Sequence, residues 1–419
     1  MNLKSNHPMQ AGLYIHIPFC KKKCSYCDFY SVAATNRTDE FIAALKREMD
    51  LCRDWLSDGV GGPDCPDGDN LDGDNPDSPE SQEVVPGSYD TLFLGGGTPS
   101  LLSIRQLAEI VTKVREIFPF TLPVEWTIEA NPDDLTLPYL QELRSLGFNR
   151  LSLGIQSLRD ENLTWLGRRH TAAQGLHAIE DARLAGFDNL NIDLIYGLPA
   201  CVPGSSSNQW FQELQQVLAL KPEHLSCYQL SYEPHTKIFL QLNRGLIKPL
   251  DETEEARYFL ETSERLESAG YVHYEVSNFS RRDSRGDQWT CRHNQKYWQH
   301  IPYLGLGPCA HSFIRKQRHW NHRSLSLYCH DLQKGILPIA GEESLGPEEL
   351  RLETIYLGFR TRRGVHLDDF QRQYGQDLLS DPPGLASRLI NEKKLEIRGD
   401  WLCPTTLGLA IADSLAIIW

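Results

Sequence analysis

The sequence lacks the long apolar segments that mark membrane and exported proteins. No apolar run in its 419 residues approaches the roughly 20 residues that cross a bilayer. The first ten residues, MNLKSNHPMQ, contain no apolar core of the kind found in signal peptides. We therefore expect a cytoplasmic protein without an integral membrane segment, in a reducing compartment.

Positive charge is missing from one stretch of the chain. Nine acidic residues and no Lys or Arg lie between Asp58 and Glu83, in a run rich in Gly, Pro, Asp and Asn. This composition cannot bury apolar surface, so we expect a disordered insertion over residues 57–88. An acidic loop that docks a partner is the alternative. The net charge of −14 argues against non-specific binding of nucleic acid, and we expect no nucleic-acid partner.

Disulfides are not expected, although the chain contains 11 cysteines. Disulfide frameworks are typical of short secreted chains. Three of the cysteines have the spacing Cys20-x3-Cys24-x2-Cys27, directly after an apolar run. Iron–sulfur clusters normally take four cysteine ligands, so three would leave one iron open for chemistry. A structural zinc site is the alternative, but it needs four ligands, and His16 and Cys52 have no paired spacing.

Strand-like runs alternate with amphipathic helical patterns from residue 13 to about residue 230. The predicted strands cover 13–17, 89–94, 124–129, 150–155, 189–195 and 223–230. The predicted helices cover 38–56, 101–117, 137–146, 172–185 and 207–219. Six strand–helix repeats predict a parallel sheet with helices outside. Because a complete eight-stranded barrel takes roughly 250 residues, we predict an α/β fold with a partial (β/α)6 barrel.

The alternation stops beyond about residue 320. Helical patterns at 347–357, 366–373 and 384–392 precede a strand–turn–strand over 394–404 and a final apolar helix over 405–419. We therefore predict three regions: a barrel core over 1–230, a connecting region over 231–320 and a smaller, mostly α C-terminal domain over 321–419.

Glycine and polar residues follow the ends of the predicted strands. The carboxyl ends of parallel strands meet at one mouth, where ligands bind. Each residue alone could be a turn or capping residue. Together they suit a polar, zwitterionic ligand that carries adenosine. The residues are Gly96, Gly97, Thr98, Glu129, Gln156, Arg168 and Asp193.

With these motifs the chain resembles the radical S-adenosylmethionine superfamily. Within it, the chain is similar to the subgroup of oxygen-independent coproporphyrinogen III oxidase and the HemW-type haem chaperones. The resemblance implies a radical S-adenosylmethionine barrel and a winged-helix-like C-terminal domain. It also implies that Cys20, Cys24 and Cys27 hold a 4Fe-4S cluster, which binds S-adenosylmethionine and takes an electron from a donor. The positions implied to contact S-adenosylmethionine are Tyr14, Gly96, Gly97, Thr98, Glu129, Gln156, Arg168 and Asp193.

Two motifs favour the chaperones within this subgroup. The oxidases carry a further cysteine two positions after the third ligand, whereas this chain has Phe29 there, as the chaperones do. Residues 293–298 read HNQKYW, which contains the HNxxYW signature of the chaperones. His293 is the candidate haem ligand, because histidine commonly ligates haem iron. A structural histidine in an aromatic cluster is the alternative.

The resemblance therefore predicts a haem chaperone that hands haem to an unknown acceptor protein. Whether the chain is also an enzyme stays open at this point. The alternative is oxygen-independent coproporphyrinogen III oxidase, which decarboxylates porphyrin propionates. A radical S-adenosylmethionine enzyme with an unrelated substrate is a third hypothesis.

Overall fold

The computed structural model describes residues 10–33, 35–57, 88–203, 205–282, 286 and 288–419. The acidic insertion predicted over 57–88 lies outside the described residues, except for its two end positions. Within the described ranges, no helix is both long and apolar enough to cross a membrane.

All six strands predicted before residue 230 form. In β1 the side chains of Leu13, Ile15 and Ile17 are fully buried in the main core, and the intervening side chains point to the other face. Among the described residues, twelve strands form one sheet: β1 (Ala11–Ile17), β2 (Tyr89–Gly96), β3 (Phe120–Ala130), β4 (Arg150–Gln156), β5 (Leu190–Tyr196), β6 (His224–Gln229), β7 (Tyr271–Glu275), β8 (Asn278–Arg281), β9 (Tyr303–Leu306), β10 (His311–Ile314), β11 (Gln317–Asn321) and β12 (Ile339–Ser344).

The first six strands form the partial barrel. They pair in parallel and in chain order from β1 to β6. The free edge of β1 takes β9 in parallel, and the free edge of β6 takes β8 in antiparallel. β1 and β6, the first and last strands of the barrel, therefore do not pair with each other. The barrel stays open, which confirms the predicted α/β fold with a partial (β/α)6 barrel.

The helices predicted in this region also form. Those of the main body are α1 (Thr38–Ser57), α2 (Ile104–Ile117), α3 (Leu137–Leu146), α4 (Asp160–Leu166), α5 (Ala172–Leu184), α6 (Ser207–Ala219), α7 (Lys237–Asn243), α8 (Glu252–Ser268), α9 (Arg292–Trp298) and α10 (Leu325–Gln333). Local sequence fixes where several begin. Ser103 with Gln106 and Thr171 with Gln174 form capping boxes at α2 and α5, which satisfy the free amides of the first turn.

Six strands without a sequence-level prediction extend the sheet at both edges. β9 to β12 continue outward from β1, and β8 and β7 continue outward from β6. The predicted connecting region 231–320 thus contributes strands to the main sheet, and its predicted end falls within β11. The domain boundaries stay predictions. A second hydrophobic core is formed by buried residues between positions 355 and 415.

The C-terminal part is small and mostly helical, as predicted. Its described elements are α11 (Pro347–Phe359), β13 (Val365–His366), α12 (Leu367–Tyr374), α13 (Leu385–Asn391), β14 (Leu395–Arg398), β15 (Trp401–Pro404), α14 (Thr406–Leu409) and α15 (Ala412–Ile417). Its three strands form a separate sheet in the order β13-β15-β14. Arg362 N donates to Tyr274 O at 2.9 Å, and Val276 N donates to Arg360 O at 3.0 Å, so backbone bonds join this part to the main body.

The prediction of one final helix over 405–419 is wrong. The chain leaves helical geometry at Ile411, where φ is −126°, and two short helices form instead. Leu409 and Leu415 are both buried. Six residues apart on one straight helix, they would point about 120° apart at 3.6 residues per turn. The bend brings both to the core.

Candidate functional site

The cysteine loop follows β1 and is held firmly by backbone bonds. Cys20 N donates to Val32 O at 3.1 Å, and Val32 N donates to Pro18 O at 2.7 Å. In the middle of the loop, Ser25 N and Ser25 Oγ donate to Leu166 O at 3.1 and 2.8 Å. The loop is therefore fixed at the carboxyl end of the barrel, where parallel-sheet proteins bind ligands.

The three thiols fit a cluster with three protein ligands. All are free and half-buried, and the cysteines of the described residues form no disulfide. In that part of the chain, no three His, Cys, Asp or Glu side chains converge on a point that would hold a single ion. A cluster does not require such convergence, because its thiolates bind different irons. Burial raises the pKa of Cys27 to about 11, and a bound metal would reverse this by favouring the thiolate.

Thr98 and Arg168 contact two of these thiols. Thr98 Oγ1 lies 3.2 Å from Cys20 Sγ, and Arg168 Nη1 lies 3.6 Å from Cys24 Sγ. Arg168 also donates through Nη2 to Asn131 Oδ1 and to Gly154 O, each at 2.5 Å. Its buried Nε has no partner in the described part of the chain. An orphaned cationic donor beside the cysteine loop fits a ligand that carries a carboxylate.

The glycine turn after β2 packs backbone to backbone on the cysteine loop. Gly97 N donates to Ile17 O at 2.8 Å. A Cβ at Gly97 would lie 2.6 Å from Phe19 O, so a side chain does not fit there. Gly96 has φ +106°, which favours glycine, and its N–H donates to Glu129 Oε2 at 3.1 Å. The turn thus ties the end of β1 to the end of β3.

Carboxyl groups line the inner face of the barrel. Burial and, to a smaller extent, the neighbouring Asp193 together raise the pKa of Glu129 to about 8. Burial also raises the pKa of Asp193, against the opposing effect of hydrogen bonds from Asn191 at 2.7 Å and Ser152 at 3.3 Å. Such buried carboxyls can bind ammonium or hydroxyl groups of a ligand, because these donors replace the lost water.

Gln156 and Tyr14 complete the predicted ligand-binding set. Gln156 ends β4 in the left-handed region, with φ +65°, and its side chain is largely buried. Tyr14 lies on the inner face of β1, where its hydroxyl is 3.2 Å from His16 Nδ1. His16 Nε2 is in turn 3.0 Å from the carbonyl of Tyr30, just after the cysteines. The predicted cofactor residues therefore lie around one mouth and the adjoining lumen.

His293 lies at the opposite end of the barrel. A Cβ on Gly12, near the start of β1, would lie 3.0 Å from its ring. From Gly12 to Ile17, where the cysteine loop begins, the strand rises ~17 Å at 3.3 Å per residue. His293 is fully buried, with Nδ1 2.8 Å from Thr91 Oγ1 and Nε2 2.9 Å from Tyr297 OH. Burial lowers its pKa to about 3.

The helix that carries the HNxxYW motif, α9, thus closes the floor of the barrel. Asp90 at the start of β2 pairs with Arg292 and with Lys296, each at 2.6 Å. His293 N also donates to the buried Glu125 at 3.2 Å. Because His293 is fully buried and Thr91 of β2 engages its Nδ1, haem iron does not reach the ring in this arrangement, and movement of α9 away from β2 would free Nδ1.

The sequence-based reasoning missed one buried carboxylate beside the mouth. Glu48 of α1 accepts from Gly307 N at 2.8 Å, Asn321 Nδ2 at 2.5 Å and Tyr328 OH at 2.6 Å. It thereby fixes the turn after β9, next to the end of β1. Burial raises its pKa to about 7. The sequence does contain one indication that Glu48 is buried: it lies in the apolar stripe of α1, which continues to Cys52.

Comparisons with known proteins agree with this geometry. The Radical SAM superfamily matches residues 80–200, and the HemN C-terminal domain matches residues 345–411. The solved Escherichia coli coproporphyrinogen III oxidase HemN shares the fold, with a TM-score of 0.76 and 22% identity over 99% of this chain and 91% of that one. The fold is thus that of the radical S-adenosylmethionine class.

Proteins with higher sequence identity to this chain identify its family within the class. The heme chaperone HemW of Mycobacterium tuberculosis is 32% identical, over 96% of this chain and 93% of its own length. The heme chaperone HemW of Bacillus subtilis is 31% identical, over 87% of each chain. This chain belongs to the HemW family.

Proposed function

We propose that this protein is a cytoplasmic haem chaperone, which binds haem and a 4Fe-4S cluster with S-adenosylmethionine and transfers the haem to an acceptor protein. The observation that carries the proposal is similarity over nearly the whole chain to proteins named heme chaperone HemW. Phe29 supports it, because this exposed aromatic stands where the oxidases carry a further cysteine.

In this proposal Cys20, Cys24 and Cys27 hold the cluster, which supplies one-electron chemistry at its open iron when it is bound. Arg168 bridges the cysteine loop and β4, and its free Nε donates to a ligand carboxylate. An electron donor for the cluster is the further partner that this chemistry needs.

S-adenosylmethionine would bind across the mouth. Glu129 and Asp193 accept hydrogen bonds from its ammonium or hydroxyl groups, and such donors would favour the ionised form that burial disfavours. Gly96 and Gly97 let the turn pack directly against His16 and Phe19, which places the backbone of the turn beside the cysteine loop at the mouth. The proposed contacts are Tyr14, Gly96, Gly97, Thr98, Glu129, Gln156, Arg168 and Asp193.

For the haem iron we propose His293, in a form of the protein in which α9 has left the barrel floor. Histidine is neutral at physiological pH when buried and therefore offers a free electron pair once its hydrogen bonds are broken. The motif helix is short, and contacts with the starts of β1 and β2 hold it in place.

The test is an anaerobic assay of the reconstituted protein beside a haem titration. We expect saturable haem binding, seen as a Soret band, and no conversion of coproporphyrinogen III with S-adenosylmethionine and dithionite. The matched control is Cys24→Ser, which removes one cluster ligand. Formation of protoporphyrinogen IX by the wild type, but not by the control, would establish the oxidase instead.

A further inference from the structure

Asn131, the residue directly after β3, lies between Thr98 and Arg168 and contacts both. Its Nδ2 donates to Thr98 Oγ1 at 3.3 Å, and its Oδ1 accepts from Arg168 Nη2 at 2.5 Å. Thr98 Oγ1 in turn lies 3.2 Å from Cys20 Sγ. Arg168 Nη1 lies 3.6 Å from Cys24 Sγ. One side-chain amide therefore connects the contacts to the first two cysteines of the loop.

Arg168 fixes the orientation of the Asn131 amide. A guanidinium group has hydrogen-bond donors and no acceptor, so the atom of Asn131 that faces Arg168 is the oxygen. The amide nitrogen, which only donates, therefore faces Thr98. The backbone of Asn131 is held as well, because its N–H donates to Ser100 Oγ at 3.1 Å.

The hydroxyl of Thr98 has one proton, and Asn131 determines where that proton points. Thr98 is buried, so solvent scarcely competes for its hydroxyl. Because Thr98 Oγ1 accepts from Asn131 Nδ2, its own O–H is left to donate to Cys20 Sγ. A cysteine sulfur bound to iron is a thiolate without a proton, and it can therefore only accept this hydrogen bond.

We propose that Asn131 is a positioning residue, which sets the reduction potential of the cluster by aiming the hydroxyl proton of Thr98 at Cys20 Sγ. The proposal rests on the cluster assigned above to Cys20, Cys24 and Cys27. When the cluster takes up one electron, negative charge on its sulfur ligands grows. A hydrogen bond to sulfur therefore stabilises the reduced cluster more than the oxidised cluster and raises the potential. No bond forms or breaks and no proton is transferred in this step.

Asn131→Asp tests this role, because aspartate has nearly the shape of asparagine but only accepts hydrogen bonds. The carboxylate keeps the bond from Arg168 and draws the proton of Thr98 away from Cys20. We expect the equilibrium constant for reduction of the cluster to fall about tenfold or more, which lowers the midpoint potential by at least about 59 mV. The measurement is a redox titration of the anaerobically reconstituted full chain with titanium(III) citrate, without S-adenosylmethionine. Electron paramagnetic resonance reports the reduced cluster.

The negative charge of the new aspartate also lowers the potential, and a double-mutant cycle separates this effect from the hydrogen bond. Thr98→Val nearly keeps the shape of the side chain, adds no charge and removes the donor. By itself it should lower the equilibrium constant for reduction about fivefold, the worth of one hydrogen bond. In Thr98→Val/Asn131→Asp only the charge effect remains. Asn131→Asp should therefore lower the constant less in the Thr98→Val protein than in the wild type.

The outcomes distinguish this proposal from the proposed function. A Thr98→Val protein with the potential of the wild type overturns the proposal, whether or not Asn131→Asp assembles a cluster. Equal effects of Asn131→Asp in both backgrounds also overturn it, since only the charge of the carboxylate then acts. A loss of cluster iron without a shift in potential would make Asn131 a purely structural residue. None of these results affects haem binding by the wild type, whereas a wild type that assembles no cluster overturns both proposals.

Discussion

Substitution of Thr91 by valine tests whether haem binding requires the barrel floor to open. Thr91 is fully buried in β2, and its hydroxyl lies 2.8 Å from His293 Nδ1. Valine has nearly the same shape but offers no hydrogen bond. The variant therefore removes a hydrogen bond between β2 and α9 and leaves the sequence of the HNxxYW motif unchanged.

The structure sets the expected magnitude. A buried polar group that loses its partner costs about 1–3 kcal/mol, and here the orphaned group is the His293 Nδ1. We expect the free energy of unfolding to fall by about 1.5 kcal/mol. The lost hydrogen bond also stabilises α9 on the barrel floor, so its removal favours the open form, in which α9 has left the floor. If haem binds only this form, haem affinity should rise about tenfold, because 1.4 kcal/mol corresponds to a factor of ten.

Urea unfolding and haem titration of the same preparations measure both quantities. Thr262→Val is the matched control, since Thr262 is equally buried and accepts a hydrogen bond from Trp210 Nε1 at 2.9 Å, away from α9. The control should lose similar stability without a gain in haem affinity. Unchanged or weaker haem binding by Thr91→Val would refute the opening of the floor.

Three further substitutions test the site. Glu48→Gln removes a carboxyl whose pKa is raised to about 7 by burial, so the folded wild type loses a proton that the unfolded chain has already lost as pH rises from 5 to 8. Over this range we expect the free energy of unfolding of the wild type to fall by about 2 kcal/mol relative to that of the variant, as measured by urea unfolding. Parallel stability curves for the two proteins would contradict this expectation. Gly97→Ala places a Cβ 2.6 Å from Phe19 O and should lower iron and sulfide content after reconstitution, whereas Gly175→Ala, whose Cβ meets nothing nearer than 3.4 Å, should leave that content unchanged. Cys24→Ser should abolish the absorption of the 4Fe-4S cluster, and retention of a full cluster would exclude Cys24 as a ligand.

The sequence predicts the barrel strands well because their signals are local. Apolar residues alternate along β1, and capping residues such as Ser103 mark where helices begin. The strands β9 to β12 carry no comparable signal, since they have four to six residues and depend on partners elsewhere in the chain. β9, for example, pairs with β1, and Gly305 in β9 lies so close to His311 O that no side chain would fit.

The candidate site also has a part that the sequence predicts and a part that it does not. The spacing of the cysteines predicts their common loop, and the strand ends predict that Glu129 and Asp193 share one mouth. The position of His293 on the barrel floor, far from the cysteines, follows from how α9 packs on β1 and β2. Helix packing of this kind depends on tertiary contacts, and the HNxxYW motif contains no sign of it.

Transfer of haem to an apo-protein tests the central claim most directly. The haem-loaded protein, with its cluster reconstituted, is mixed in stopped flow with a haem-free cytochrome as acceptor and, separately, with excess apomyoglobin as a passive scavenger. A chaperone should deliver haem to the acceptor faster than the scavenger collects it, since delivery through a complex does not wait for haem to dissociate. Equal rates for acceptor and scavenger would show that haem only dissociates, and would contradict the proposed function.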